Sequence, residues 1–259
     1  MAKKKRIKLK SADDIRQMRI AGELASNVLQ KVAGATKVGV TTKEIDDYAG
    51  ELIKEAGARS AFLGYRGFPA NTCISVNEEV VHGIGCERVI NDGDIVSIDV
   101  GVQKNGWIGD NALTVPVGNI SQEAKDLLIA TEQALFESIS FARAGQSLAD
   151  LCGATEEHVV KFGYSVVKDL VGHGVGKNLH EEPAVPNYRP HGKTPVLKAG
   201  MVLAIEPMIN QGTGDVICLE DDWTIVTKDN KLSAHFEHTV HVTDGEPDIL
   251  TMRPRLSFS

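Results

Sequence analysis

Two apolar stretches that carry a carboxylate at the same place constrain this chain more than any other feature. Met201-Val202-Leu203-Ala204-Ile205-Glu206-Pro207-Met208-Ile209 is an apolar run entered through Gly200, with one acid in its middle. Its length and branched residues predict a buried strand. An ionised Glu there is destabilising unless a cation or a set of hydrogen bonds compensates it. Gly93-Asp94-Ile95-Val96-Ser97-Ile98-Asp99-Val100 repeats the pattern. Gly93, Ile95, Ile98 and Asp99 fall on Gly200, Val202, Ile205 and Glu206 at a spacing of 107 residues. Two such strands in register predict a site assembled from two halves.

The flanking segments extend the repeat. Ser11 with Asp14, and Thr41 with Glu44, are capping-box signals at helix starts. The first predicted helix carries Ile15, Met18, Ala21, Leu24, Ala25, Val28, Leu29 and Val32 at helical spacing and is expected to end before Gly34. The second runs through Ile45, Tyr48, Leu52, Ile53 and Ala56 to Gly57. Further on, a helix is expected over residues 122–143, and Ser147 with Asp150 opens another that Gly163 closes. Gly39, Thr41, Glu44, Ile45, Ile53 and Gly57 map onto Gly145, Ser147, Asp150, Leu151, Val159 and Gly163 at a spacing of 106. His82-Gly83-Ile84-Gly85 echoes His173-Gly174-Val175-Gly176, and the insertion-like segment 177–194 takes up the difference in spacing. An internal duplication is therefore expected, with halves at about 11–118 and 119–250 related by an approximate two-fold axis. They form a single α+β domain over 11–259 behind a basic tail at 1–10.

The strand that holds Asp99 is expected to run to Val102, turn through Gln103-Lys104-Asn105-Gly106 and return from Trp107 past Asp110. A four-residue loop would set Asp99 directly across from Asp110. A two-residue loop would leave them diagonal on the same face. Like charges at either range are destabilising by themselves. A final strand is predicted over Leu232–Val242, with Glu237 in its middle beside His235, His238 and His241.

Composition narrows the classes. The chain has 259 residues, 42% of them hydrophobic, enough for a large core. No apolar run reaches the roughly 18 residues of a membrane span, and the basic start is not followed by the apolar segment of a signal peptide. Four cysteines without a C-x-x-C pair suggest neither a disulfide frame nor a zinc knuckle, so a reducing cytoplasm is expected. The net charge is −7, and setting aside Lys3, Lys4, Lys5, Arg6, Lys8 and Lys10 leaves −13. That argues against a nucleic-acid-binding body. The basic tail is expected to be a solvated terminus, with contact to an anionic surface such as ribosomal RNA as the alternative.

Asp99, Asp110, Glu206 and Glu237 cannot all stay ionised in one core without cations. Four negative charges balance two divalent ions, to which His173 could add a nitrogen. Oxygen-rich ligation with one imidazole favours Mn²⁺, Fe²⁺ or Co²⁺, and paired ions bridged by carboxylates are a recurrent hydrolytic device.

On these residues the chain resembles the type I methionine aminopeptidases, in the bacterial form that lacks a zinc-binding N-terminal extension. The likeness runs from residue 11 to about residue 250. It is carried by Ile98-Asp99-Val100 with Gly109-Asp110, His173-Gly174-Val175-Gly176 through His180-Glu181-Glu182-Pro183, Ile205-Glu206-Pro207 and Phe236-Glu237-His238. The resemblance implies the pita-bread (creatinase/aminopeptidase) fold, two pseudo-symmetric halves around an antiparallel sheet with helices outside. It implies removal of the N-terminal methionine from nascent polypeptides, with a small second residue preferred, by a cytoplasmic monomer. It also implies that Asp110, His173, Glu206 and Glu237 hold one divalent ion and Asp99, Asp110 and Glu237 the other.

By the same resemblance, His82 lies by the scissile nitrogen and His180 bonds the substrate carbonyl or its oxyanion. Glu206 shuttles the proton. Tyr65, Phe68, Cys73, Leu179 and Trp223, with Met208 near the ions, wall a methionine pocket. A monovalent cation (Na⁺ or K⁺) is implied around Asn77, Glu79 and Ser233. The sequence departs from the common pattern at Leu179, where an aromatic residue often precedes the second histidine, and at Phe62 and Phe68. His158 and His191 receive no role, and His235, His238 and His241 are expected at the surface or behind the ligands. The 25 residues between His180 and Glu206 leave no room for the helical insertion of type II enzymes. The rival readings are a proline-directed peptidase of the same fold and an inactive relative that binds RNA or protein. The five intact ligand positions argue against the second.

Overall fold

The computed structural model describes residues 6–257, so Lys3, Lys4 and Lys5 of the predicted tail lie outside the described residues. Both N-terminal capping boxes form. Ser11 starts α1 (Ala12–Ala35), its hydroxyl accepting from the Asp14 amide while the Asp14 carboxylate accepts from the Ser11 amide. Thr41 and Glu44 do the same for α2 (Thr42–Glu55). α1 continues past Gly34, contrary to expectation, and stops where the Thr36 amide and hydroxyl both donate to the Val32 carbonyl. One glycine costs a helix about 1 kcal/mol, less than burial of the stripe from Ile15 to Val32 contributes.

The second pair of helices is α3 (Gln122–Ser140) and α4 (Leu148–Val159). α3 stops short of residue 143 because the chain there leaves to join another element, the Ala144 amide donating to Thr243 O at 2.8 Å. Ser147 caps α4 through the Ala149 amide at 3.1 Å. The expected box is not completed, because the Asp150 carboxylate is taken by Arg189 at 2.6 Å.

The strands, in order, are β1 (Arg59–Ser60), β2 (Cys73–Val76), β3 (Glu79–Val81), β4 (Ile95–Lys104), β5 (Trp107–Pro116), β6 (Ser165–Val166), β7 (Gly172–Gly174) and β8 (Glu181–Val185). There follow β9 (Val202–Ile205), β10 (Met208–Asn210), β11 (Val216–Cys218), β12 (Ile225–Thr227), β13 (Ser233–His235), β14 (His238–His241) and β15 (Asp248–Ile249). They form four antiparallel ladders instead of one continuous sheet: β1-β4-β2 with β5 on β4, β13-β10-β6, β11-β12-β3 and β15-β14-β9-β7-β8.

Two predicted strands are broken at their acids. The run through Glu206 divides into β9 and β10 at Glu206-Pro207, and the run through Glu237 divides into β13 and β14 at Phe236-Glu237. β9 pairs with β14 and β10 with β13, so both breaks fall at one level of the same double ladder. Pro207 has no N–H for a central ladder. On the other strand the Glu237 amide leaves its neighbour and donates to Ala112 O of β5 at 2.8 Å. The breaks tie the two halves together and turn both carboxylates toward β4 and β5.

Helices α1 and α2 pack on the β4–β5 side, and α3 with α4 on the side of β9, β10 and β13. α1 crosses β5 so closely that a Cβ at Gly109 would lie 2.5 Å from the Ala21 backbone. The corresponding glycines of the two segments share a backbone conformation: φ is 90° and 89° at Gly39 and Gly145, and 97° and 88° at Gly93 and Gly200. One buried apolar cluster takes Leu29, Ile45 and Ile98 from the first segment and Leu135, Leu151 and Ile205 from the second. Within the expected tail, Ile7 packs against this cluster and the Lys10 amide donates to Gly200 O at 2.7 Å, so this end of it is anchored rather than frayed. Among the described residues no helix is long and apolar enough to cross a membrane.

Candidate metal centre

The β4–β5 hairpin turns on two residues, Asn105-Gly106, so Asp99 faces Ala112 while Gly101 faces Asp110. The two aspartates are therefore diagonal on one face, the second of the two expected arrangements. The strand breaks bring in Glu206 and Glu237. β7 lies beside β9 and supplies His173, paired with Ala204. Ligand atoms of Asp110, His173 and Glu237 all lie within 4.8 Å of one another. His173 Nε2 is 3.4 Å from Glu206 Oε1 and 3.9 Å from Asp110 Oδ2. Asp99 is outside that tightest group but lines the same pocket.

Electrostatics follow from burial. Asp110 is pushed up to about 7 by burial, against the opposing Asn111 amide. Asp99 and Glu206 are pushed well up by burial and then by the charge of Asp110. Glu237 is raised by burial and by Asp110, Asp99 and Glu206, with Arg253 opposing. Burial also lowers His173, to about 3, with His180 adding to the effect. A neutral imidazole is the ligand form. With Nδ1 donating to Gly174 O at 3.0 Å, the Nε2 lone pair points at the carboxylates.

Asp99 Oδ1, Asp110 Oδ1 and Glu237 Oε1 are buried without a hydrogen-bond partner. Unpaired buried carboxylate oxygens are costly. Facing one another and a neutral imidazole nitrogen, they fit divalent cations of the Mn²⁺, Fe²⁺ or Co²⁺ kind.

These acids floor a cavity of about 330 Å³ whose walls include Tyr65, Phe68, Cys73, Leu179, Met208 and Trp223, every residue expected in the pocket, together with Phe62. The Phe68 and Trp223 rings meet edge to face at 5.1 Å, and His82 meets Trp223 at 6.4 Å. His82 is held at φ 59°, a left-handed conformation rare outside glycine, and its imidazole is lowered by burial. His180 lies exposed at the mouth, stacked on Tyr65 and bonded to its hydroxyl through Nδ1 at 2.8 Å. Partial burial, then Arg66 and His82, lower it to about 4.

Of the three histidines expected at the surface or behind the ligands, two are buried. His235 and His238 are each 1% exposed, so neither is a surface group. His235 lines the pocket with Nε2 3.8 Å from Glu206 Oε2. Its position two residues before Glu237, the same parity along a strand, was the available signal. His238 instead meets Arg253 and Thr251 behind the Glu237 backbone. Arg253 itself carried no sequence signal. Its guanidinium donates to Glu237 O at 3.1 Å and Ala112 O at 2.9 Å. His241 pairs with Asp248, while His158 and His191 lie away from the site. At the expected monovalent-cation position, the Ser233 amide donates to Asn77 O, and the Glu79 carboxylate holds the Val76 amide and Arg88.

Comparison with known proteins agrees with this geometry. Residues 16–244 match metallopeptidase family M24. The chain is 49% identical over 234 residues to methionine aminopeptidase 1 of Bacillus subtilis, covering 90% of this chain and 94% of that protein. It is 46% identical to the methionine aminopeptidase of Clostridium acetobutylicum, covering 94% and 98%. The chain belongs to the methionine aminopeptidases of family M24. The crystal structure of methionine aminopeptidase from Rickettsia prowazekii superimposes with a TM-score of 0.93 at 39% identity, over 95% of this chain and 100% of that one. The chain thus has the pita-bread fold and is a metallopeptidase by family. The prolidase from Pyrococcus furiosus shares the fold alone, with a TM-score of 0.78 at 24% identity over 66% of that longer protein.

Proposed function

We propose that this chain removes the N-terminal methionine of nascent polypeptides by metal-dependent hydrolysis and prefers a small second residue. The observation that carries the reading is the set of partnerless carboxylate oxygens on the floor of an aromatic-walled cavity. Asp110, His173, Glu206 and Glu237 would hold one divalent ion, and Asp99, Asp110 and Glu237 the other. Such a pair supplies Lewis acidity and a nucleophilic water at neutral pH. The chain's own groups do the rest. The apolar walls and the soft Met208 and Cys73 sulfurs take the methionine thioether. His180 donates to the carbonyl oxygen of the scissile bond as negative charge grows there. His82 aligns the scissile nitrogen, and Glu206 takes the water proton and returns it to the leaving amine.

We further read the chain as two pseudo-symmetric halves, about 11–118 and 119–250, and as a cytoplasmic monomer, since nascent chains are its substrates. Ribosome contact through the basic residues that precede Lys10, whose ammonium is paired with Glu181, and a monovalent cation at Asn77, Glu79 and Ser233, belong to this reading as well. Assays with added Mn²⁺ test its core. Met-Ala and Met-Gly peptides should be cleaved rapidly, Met-Leu and Met-Lys slowly, and chelation should abolish turnover. Equal rates on all four, or rapid release of N-terminal Lys, would count decisively against it.

A further inference from the structure

His180 is exposed at the pocket mouth, and its ring has one side-chain hydrogen bond, to Tyr65. The ring also stacks on Tyr65 and lies against His173, with centroids 5.3 and 4.1 Å away, while its backbone is fixed by the segment that follows. The next residue, Glu181, opens β8 opposite Gly174. Glu181 Oε1 accepts from the backbone and side-chain amides of Asn178, both at 3.3 Å, closing the 178–181 turn around His180. The other oxygen, Oε2, accepts from Lys10 Nζ at 2.9 Å, in a pair whose side chains are only 5% and 9% exposed.

The lysine arrives from 171 residues away and has a built seat. Its amide is bonded to Gly200 O, and a Cβ at Gly200 would lie 2.9 Å from the Lys10 carbonyl oxygen. A Cβ at Gly176 would lie 2.8 Å from Glu181 Oε1 and 2.9 Å from Lys10 Cε. Gly176 thus leaves the space the ion pair occupies, and Gly200 the space for the Lys10 backbone. Removing one partner of such a pair leaves a largely buried charge uncompensated. Glu181 would then turn toward solvent and release the Asn178 amides.

We propose that Lys10 is a positioning residue for His180, its bridge to Glu181 locking the 178–181 turn and with it the imidazole at the pocket mouth. The inference rests on the reading of His180 as the group that meets the substrate carbonyl. A residue of the basic N-terminal segment thereby belongs to the catalytic apparatus.

Steady-state kinetics on Met-Ala-Ser with the full chain and added Mn²⁺ test it. Lys10→Met should lower kcat by about 10- to 100-fold, the scale of a slightly misplaced group. KM should stay within about twofold, because the affected contact forms in the transition state. Metal content and far-ultraviolet circular dichroism should not change, and Lys10→Arg should recover most of the loss. In a His180→Ala background Lys10→Met should cost nothing further, since it acts through that ring. If Lys10→Met does not fold, Glu181→Gln, which weakens the same bridge, is expected to show the same pattern. Full kcat in these variants, or an undiminished loss in the His180→Ala background, would overturn the inference while leaving the function above intact. Full kcat in His180→Ala alone would instead remove the reading of His180 on which the inference rests.

Discussion

Gly101 faces Asp110 across the hairpin, and the Phe62 ring fills the space a side chain at 101 would need, 2.4 Å from the position of its Cβ. One small residue therefore lies between the carboxylate face of the hairpin and the pocket wall. Gly101→Ala should push Phe62 into the cavity and raise KM for Met-Ala-Ser about tenfold, the scale of one methyl group in a tight pocket. kcat should change less, because the carboxylates stay on the backbone of β4 and β5. Peptide kinetics with N-terminal Met and the shorter norvaline check this. The norvaline substrate should suffer less.

Asp110→Asn should abolish turnover and weaken metal binding. Its stability should also move in a way that reports charge. Burial raises the Asp110 carboxyl to about 7, so its protonated form favours the fold. That contribution is present below the ordinary carboxylate range and is lost as pH rises through about 7. Without metal, Asp110→Asn should melt above the wild type at alkaline pH, and the gap should close as pH falls from about 7 to below the ordinary Asp range of about 4. Added Mn²⁺ should reverse the order. Melting curves with chelator or Mn²⁺ across this range decide it, and a variant that melts lower without metal at alkaline pH would contradict the electrostatic account.

Arg253 is 6% exposed and is lowered to about 10 by burial, so it stays charged at neutral pH. It bonds the carbonyls of Glu237 and Ala112, one from each side of the centre. Arg253→Met should destabilise the fold by on the order of 2 kcal/mol, the cost of leaving buried carbonyls unpartnered. It should also weaken the divalent-ion affinity, because Glu237 loses its support. Denaturant melts of the metal-free protein and calorimetric titration with Mn²⁺ separate the two effects.

The two histidines outside the ligand set should fail differently. His180→Ala should lower kcat by about 10²–10³, the typical cost of losing one oxyanion donor, with metal occupancy unchanged. His82→Ala should also slow turnover, but to an extent that depends on the second residue if it aligns the scissile nitrogen as proposed. Metal analysis with kinetics on Met-Ala and Met-Thr peptides distinguishes them. Loss of metal in His180→Ala would make that residue a ligand.

The features legible in the sequence were those that short stretches of chain determine. Ser11 with Asp14 and Thr41 with Glu44 close hydrogen bonds within four residues, so their helices start where the sequence says. The glycines at 39, 93, 145 and 200 answer a local demand for positive φ. The acids in apolar runs, Asp99, Asp110, Glu206 and Glu237, were conspicuous because a lone buried charge needs a partner. What depends on residues far apart in the chain was not legible. Asn105-Gly106 alone closed the hairpin, and that choice made Asp99 and Asp110 diagonal instead of opposite. The Glu237 amide left its ladder for Ala112, splitting a strand that the apolar pattern drew as continuous. For His235 and His238 the sequence left open the surface or a place behind the ligands, and burial beneath neighbouring segments decided it. Lys10 read as part of a charged tail until Glu181 proved to be its partner. Periodicity and capping report contacts within a turn or two, whereas burial of a charge is decided by groups that only the folded chain brings together.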